Sequence, residues 1–284
     1  MQRRMWAVCT GFILLMVLVA PLAAQDDSDP QLQIPILLDG DSFVDSFAGD
    51  VGTRLYAFNA SKGDKVTISM TQLHEDLDPF LVLLGPRGEL IATDDDSGSE
   101  ALSAQITQVD LPSSGGYFLM ATSYENVGDL LEVETEDDLE YEIEIEGITP
   151  PTDLANFDEN VVTYFRSELQ IGDVINGEST LEEPVFYFTF DGEEGKMIDL
   201  AMSSNDFDTV LHLFDPTGNR IGVNDDDPDG TGTNSVIHDV AIPETGQYLI
   251  FAADLFFYNI GNLDTDLEFT GGEFTIALTS ASAK

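Results

Sequence analysis

Hydrophobic and polar residues alternate in short stretches along most of this chain. Lys65–Met70 (KVTISM), Gly116–Ala121 (GYFLMA), Tyr141–Ile145 (YEIEI) and Phe274–Leu278 (FTIAL) alternate or run apolar, with Gly, Pro, Asp and Ser between them. That is the pattern of strands bounded by turns. Beyond residue 24 no long stretch carries helical periodicity. Several short strands at spacings of roughly ten residues predict an all-β chain built as an antiparallel β-sandwich.

The pattern occurs twice. DPFLVLLGPRGELIATDDD begins at Asp78 and DTVLHLFDPTGNRIGVNDDD at Asp208. With an offset of 132, Gly40, Asp41, Tyr56, Phe58, Gly63, Val66 and Ile68 fall on Gly172, Asp173, Phe188, Phe190, Gly195, Ile198 and Leu200. Pro86 and Gly88 then match Pro216 and Gly218. Pro112, Gly115 and Tyr117 match Pro243, Gly246 and Tyr248, and Asn126–Leu130 matches Asn259–Leu263. A period this long is a duplicated domain, not the short unit of a solenoid. Gly147–Asn160, with Pro150 and Pro151, reads as the linker between the copies. The expected organisation is an N-terminal segment at 25–35, a first sandwich at 36–147, a linker at 148–167 and a second sandwich at 168–284.

Residues 1–24 carry Arg3 and Arg4, an apolar run from Phe12 to Ala20, Pro21, and the small pair Ala23 and Ala24. This predicts a secretory signal peptide cut after Ala24, hence a secreted, periplasmic or envelope-exterior protein. An uncleaved anchor is the alternative reading. The single Cys, Cys9, and the single Trp, Trp6, both lie in this segment. The apolar run follows Cys9 instead of preceding it, which argues against a lipoprotein. The remaining chain has no thiol for a disulfide, nucleophile or metal ligand, so each copy must rely on its own core. About 110 to 130 residues suffice for that.

Without Arg3 and Arg4, eight of the ten basic residues remain against 54 acidic ones, a formal charge of −46. Such a chain repels nucleic acid and anionic membrane surfaces and favours cations.

Read in order, the repeated residues are a Gly-Asp start (Gly40, Asp41; Gly172, Asp173) and an aromatic-x-aromatic strand (Tyr56, Phe58; Phe188, Phe190). A Gly before the next strand (Gly63; Gly195) and the Asp-x-x-Leu-x-Leu-x-x-Pro-x-Gly hairpin follow. An Asp-rich loop and a Pro-x-x-Gly-x-Tyr strand complete the series. This order resembles the bacterial pre-peptidase C-terminal (PPC) domain, which is similar to the collagen-binding domains of clostridial collagenases. The resemblance spans roughly 36–147 and 168–280. It implies two tandem jelly-roll-like sandwiches and a secreted accessory module, often appended to a peptidase, that in some members binds calcium or an extracellular polymer. Here the two copies fill nearly all of the chain beyond the signal segment, where that arrangement expects a peptidase.

The hairpin itself points to a cation. With Pro86 and Arg87 centring the turn, Asp78 is expected opposite Asp95, and Asp208 opposite Asp225. Like charges across a strand pair are destabilising unless backbone donors or an ion satisfy them. Calcium takes six to eight oxygen ligands in flexible geometry. In the second copy Asp225, Asp227, Asp229 and Gly230 form an Asp-x-Asp-x-Asp-Gly run, but the twelfth position is Val236, so this is not an EF-hand. Asp208 would supply a missing ligand. In the first copy the loop is Asp94, Asp95, Asp96, Ser97, Gly98, with Asp78 at the base. The competing reading is that these aspartates cap loop amides.

Two features differ between the copies. Glu132, Glu134 and Glu136, and Glu142, Glu144 and Glu146, put carboxylates on one face of an expected hairpin, whereas Thr275 and Ala277 stand where the first copy has Glu142 and Glu144. The ladder reads as a solvated edge that resists aggregation, or else as a partner surface. Phe256, Phe257 and Tyr258 are aligned with Ser123, Tyr124 and Glu125, and offer a ligand platform or a domain contact.

Catalysis has little support. His74, His212 and His238 lack metal-ligand spacing, and neither a Gly-x-Ser-x-Gly elbow nor a His-Glu-x-x-His helix occurs. His212 reads as a sheet-face residue. The expectation is a non-catalytic, calcium-stabilised module that binds an extracellular polymer or protein partner. The alternative is an acidic envelope spacer, or an accessory to a separately encoded peptidase.

Overall fold

The computed structural model describes residues 32–47, 52–99, 102–124, 138–149, 165–227, 230, 232–255 and 269–281. These residues form two antiparallel sandwiches with one topology. In the first, β1 (Ser42–Phe47), β8 (Leu139–Glu146), β3 (Lys65–Gln72) and β6 (Ala104–Asp110) form one sheet in the order β1-β8-β3-β6. The other sheet is β2-β7-β4-β5, from β2 (Thr53–Ala60), β7 (Gly115–Ser123), β4 (Pro79–Leu84) and β5 (Leu90–Asp94). The second sandwich repeats both. Its β10 (Val174–Ser179), β17 (Gly272–Ser280), β12 (Met197–Ser204) and β15 (Ser235–Ala241) are ordered β10-β17-β12-β15. Its other sheet runs β14-β13-β16-β11-β9, from β14 (Arg220–Asn224), β13 (Thr209–Phe214), β16 (Gly246–Asp254), β11 (Val185–Gly192) and β9 (Phe165–Glu168).

β9 runs parallel to β11, with Glu168 beside Thr189. The first copy has the same feature in shorter form, an isolated parallel bridge between Ile36 and Ala57. Phe165 and Ser167, expected in the linker, therefore join the second domain's sheet, and Pro35 at the end of the expected N-terminal segment reaches the first, its carbonyl accepting from the Ala57 amide at 3.0 Å.

Burial separates the sheets into two kinds. In β8 and β12 buried and more exposed residues alternate, because one face packs on the core and the other meets water. All six residues of β4 (PFLVLL) and of β13 (TVLHLF) are buried. Both faces of these strands are covered. One face of β4 joins the first core, where Leu81 and Leu83 meet Tyr56, Phe58, Tyr117 and Ile143. One face of β13 joins the second, where Leu211 and Leu213 meet Phe188, Phe190, Tyr248 and Ile276.

The remaining faces meet each other. Leu55, Phe80, Val82, Leu84, Phe118 and Met120 of the first domain form one buried cluster with Val185, Tyr187, Val210, Phe214, Leu249 and Phe251 of the second. Phe118 lies 5.2 Å from Tyr187 edge-on and 5.5 Å from Phe251, measured between ring centroids. Burying a Phe or Leu side chain is worth about 1.5–3 kcal/mol relative to exposing it, so this face is costly to leave in water. The molecule is four sheets deep, with the two apolar sheets inside.

Candidate functional site

The repeated motif residues are mostly structural. Asp41 and Asp173 cap the turn before their sheets, accepting from the Leu38 amide at 2.7 Å and the Gln170 amide at 2.9 Å. Tyr117 and Tyr248 donate their hydroxyls to the carbonyls of Ser113 and Glu244, each at 2.7 Å and four residues upstream, and so fix the corner entering β7 and β16. Their rings stack on Phe58 and Phe190 at 5.3 and 5.2 Å, which explains the second aromatic of the aromatic-x-aromatic pair. Burial raises the pKa of both tyrosines, so the hydroxyls stay protonated as donors.

The hairpin registers correct the sequence expectation. Leu81 pairs with Asp94 and Leu84 with Leu90; Leu211 pairs with Asn224 and Phe214 with Arg220. A bulge follows Leu83 and Leu213. The turn is closed by the Gly85 amide on the Glu89 carbonyl at 2.8 Å, and by Asp215 on Asn219 at 2.8 Å, so it centres on Arg87 and Thr217. The longer loop and the bulge together shift each strand by two residues. Asp95 and Asp225 thus fall beyond the paired residues and are not cross-strand neighbours of Asp78 and Asp208.

In the first copy the capping reading describes Asp94. Its Oδ1 accepts from the Ser97 amide at 3.1 Å and the Gln105 amide at 2.6 Å. Asn224 holds the same place in the second copy and accepts from the Val236 amide at 2.7 Å, so that duty needs no charge. Asp95 is half-buried and Asp96 exposed. Asp78 carries the carbonyl that receives the Tyr124 amide at 2.7 Å, as Asp208 does for Leu255 at 2.7 Å.

Carboxylates gather in the second copy instead. Asp208 is held beside the loop that follows β14. The Thr209 hydroxyl meets Ser235 Oγ at 2.7 Å, and Ser235 Oγ donates to the Asp225 carbonyl at 3.1 Å. Asp208 Oδ1 is buried and makes no hydrogen bond. Its pKa is raised to about 6, first by burial and then by the charges of Asp226, Asp225 and Asp254. Asp254 is only 3 % exposed and accepts from the Gly271 amide at 3.2 Å.

Sequence reasoning missed Asp226 and Asp254. The signal for Asp254 lay in the alignment: it occupies the place of Ser123, as the strand ends Pro79↔Ser123 and Thr209↔Asp254 demonstrate. The alignment of Phe256 with Ser123 is therefore displaced by two residues. Asp227 turns elsewhere, its Oδ1 lying 3.4 Å from His238 Nε2, while Asp199 Oδ1 lies 3.7 Å from His238 Nδ1. Asp229, Phe256–Tyr258, Glu132, Glu134 and Glu136, the match of Asn126–Leu130 to Asn259–Leu263, and the signal segment lie outside the described residues. Among the described residues no three His, Cys, Asp or Glu side chains are grouped to hold a metal unaided.

The glutamates of β8 do not guard an edge. β8 lies between β1 and β3, so Glu142 and Glu144 stand on a sheet face between Val44 and Ser42 on one side and Thr71 and Ser69 on the other. Ser42 Oγ donates to Glu142 Oε1 at 2.8 Å. His212 is buried and stacked near Phe214 at 6.1 Å, and burial with the nearby Arg220 charge lowers its pKa well below the usual value. It is a neutral packing residue on the sheet face.

The family model for the bacterial pre-peptidase C-terminal domain matches residues 52–123 and 184–251. Each match opens at the strand that carries the aromatic pair and ends in the strand that follows the tyrosine corner. No curated protein matches the sequence. Among solved structures, the pre-peptidase C-terminal domain of a Bacillus anthracis collagenase is 13% identical, with 40% of this chain and 96% of that one covered and a TM-score of 0.31. A Bacillus subtilis oxalate decarboxylase is 9% identical over 86% of this chain and 73% of its own, with a TM-score of 0.17. The VP2 subviral particle of infectious bursal disease virus is 10% identical over 92% and 75%, with a TM-score of 0.19. On the two matches to the family model, and on the duplicated motif they enclose, the chain belongs to the bacterial pre-peptidase C-terminal domain family, which it carries in two tandem copies.

Proposed function

We propose that this is an exported, non-catalytic accessory protein that uses calcium to order the loop end of its second domain and binds an extracellular polymer or protein partner there. The observation that supports it is Asp208. A carboxylate whose buried Oδ1 makes no hydrogen bond and which feels the charges of Asp226, Asp225 and Asp254 is electrostatically unfavourable unless a cation offsets it. Oxygen-only donors on a loop suit a hard cation with flexible coordination. Asp208 would be the anchoring ligand, joined by Asp225 or Asp226 and by backbone carbonyls of the loop, with the charge of Asp254 adding to the pull on the ion. Asp229 stays in the proposal as the carboxylate that the Asp-x-Asp-x-Asp-Gly run adds. The ion would supply charge neutralisation and a fixed loop shape.

The first copy is the weaker site, because Asp94 is already engaged with two amides. The reading is tested by following thermal unfolding of the protein and of Asp208→Asn while calcium rises from micromolar to millimolar. A bound ion raises the midpoint of the parent by mass action and that of the variant less. An unchanged midpoint in the parent removes calcium. Retention on insoluble polysaccharide, collagen or cell wall with and without calcium tests the binding role; no retention on any of them counts against it.

A further inference from the structure

We propose that the face between the two domains is a self-complementary docking surface, so that the chain is a tethered dimer of one kind of sandwich. The partner this surface fits is another sandwich of the same family.

Equivalent positions of the two copies meet at this face. Leu55, Phe80, Leu84, Phe118 and Met120 face the second domain, and their counterparts in the repeat, Tyr187, Val210, Phe214, Leu249 and Phe251, face the first. Both partners present the same strands, which is the mark of a two-fold, isologous contact. Head-to-tail stacking of repeats would join unlike faces and leave one copy of the apolar face open. Here none is left over.

The contact is reciprocal in detail. A Cβ on Gly88, at the first hairpin turn, would strike the Val185 carbonyl on β11, and one on Gly218, at the second turn, would come within 2.6 Å of the Leu55 carbonyl on β2. The Leu55 amide donates to the Gly218 carbonyl at 2.8 Å. Val185 is the counterpart of Thr53, two residues from Leu55, so the two-fold is approximate. Each turn reaches the strand that begins beside the other domain's Asp78 or Asp208 end, and those ends therefore point in opposite directions.

Departures from symmetry favour the tethered pair over two identical domains. Arg54 Nη1 donates to Asn219 Oδ1 of the second domain at 2.6 Å, whereas the counterpart positions hold Phe186 and Glu89, and a phenyl ring has no guanidinium to donate. His212 and Arg220, 2 % and 4 % exposed, replace Val82 and Leu90 on this face. Two copies of the second domain would set each Arg220 guanidinium and each polar His212 ring against its own kind, while the first domain offers them an apolar counterpart.

The test uses the full chain with a protease recognition sequence inserted between Thr149 and Phe165. After cleavage, gel filtration is expected to return both fragments in one particle of the intact mass that unfolds in a single transition. Phe118→Arg in the same chain is expected to weaken their association by about tenfold or more. Separation of the parent fragments, folded or not, overturns the proposal, and so does a Phe118→Arg pair that holds together as tightly as the parent.

Discussion

Where the first domain buries hydroxyls and a carboxylate, the second buries rings. Tyr56 donates to Asp45 Oδ2 at 2.8 Å and shares a 2.8 Å hydrogen bond with Tyr141, and Arg54 completes the group with an ion pair to Asp45 at 2.7 Å. The same four places in the second domain hold Phe188, Phe274, Gly177 and Phe186. A Cβ on Gly177 would strike the Phe274 ring, so the glycine admits the ring that replaces the tyrosine. One backbone tolerates both solutions because Tyr and Phe have nearly the same shape, and a polar group is stable in a core once every member has a partner. The polar solution also reaches Asn219 across the domain face through Arg54, so it serves the pair as well as its own sandwich.

The largest effect that would break this comparison is expected from Asp45→Ala. It leaves Arg54, with 21% of its side chain exposed, short of its carboxylate and removes one partner of Tyr56. The loss should be on the order of 2 kcal/mol, between that of an exposed and a buried ion pair, measured by urea unfolding. A loss under a few tenths of that would mean the network is incidental.

Tyr56→Phe should cost about 1–2 kcal/mol, since it strands the buried Tyr141 hydroxyl. The double variant Tyr56→Phe/Tyr141→Phe reproduces the second domain's pair and should cost less than the two single losses combined; strict additivity would refute the coupling. Burial raises the pKa of both tyrosines, with each other's and Asp45's proximity adding to it for Tyr56. The unfolded chain releases these protons near pH 10 and the folded chain does not, so stability falls as pH rises beyond 10. The double variant should flatten that fall.

The smallest effect concerns the acidic end. A pKa of about 6 for Asp208, above its ordinary 3.8, means that the folded state holds this proton more tightly than the unfolded state. Without calcium, its contribution to stability therefore grows as pH drops through 6 toward 4 and is constant above about 7. Asp208→Asn should lose that slope, so the difference between the parent and variant midpoints should change as pH falls from 7 to 4. A parent and variant that run parallel from pH 7 to 4 would show that Asp208 is not the titrating group.

Much of the fold was legible because its constraints are local. The alternation in KVTISM and YEIEI marks strands with one wet face, and both lie in the outer sheet of the first sandwich. The continuous runs PFLVLL and TVLHLF carried a further message, a strand buried on both sides, and so a partner for the second face. The candidate site was legible only in part. Turn-centred pairing failed because a bulge and a three-residue loop move the register by two, and neither leaves a plain mark in the residue types. Asp254 was hidden because a buried carboxylate at a strand end looks like any other aspartate until the copies are superposed.

The sequence by itself determined that there are two copies of one β-sandwich, which residues build its turns and corners, and that the chain is acidic throughout. Those properties follow from periodicity, backbone sterics and charge, which act within a few residues or over the whole composition. Only the tertiary structure decided that Asp208 feels the charges of Asp225, Asp226 and Asp254 while Asp227 lies against His238, that the β8 glutamates cover a face, and that two apolar sheets meet. These depend on contacts between residues far apart in the chain. Register and packing fix such contacts, and no local preference specifies them.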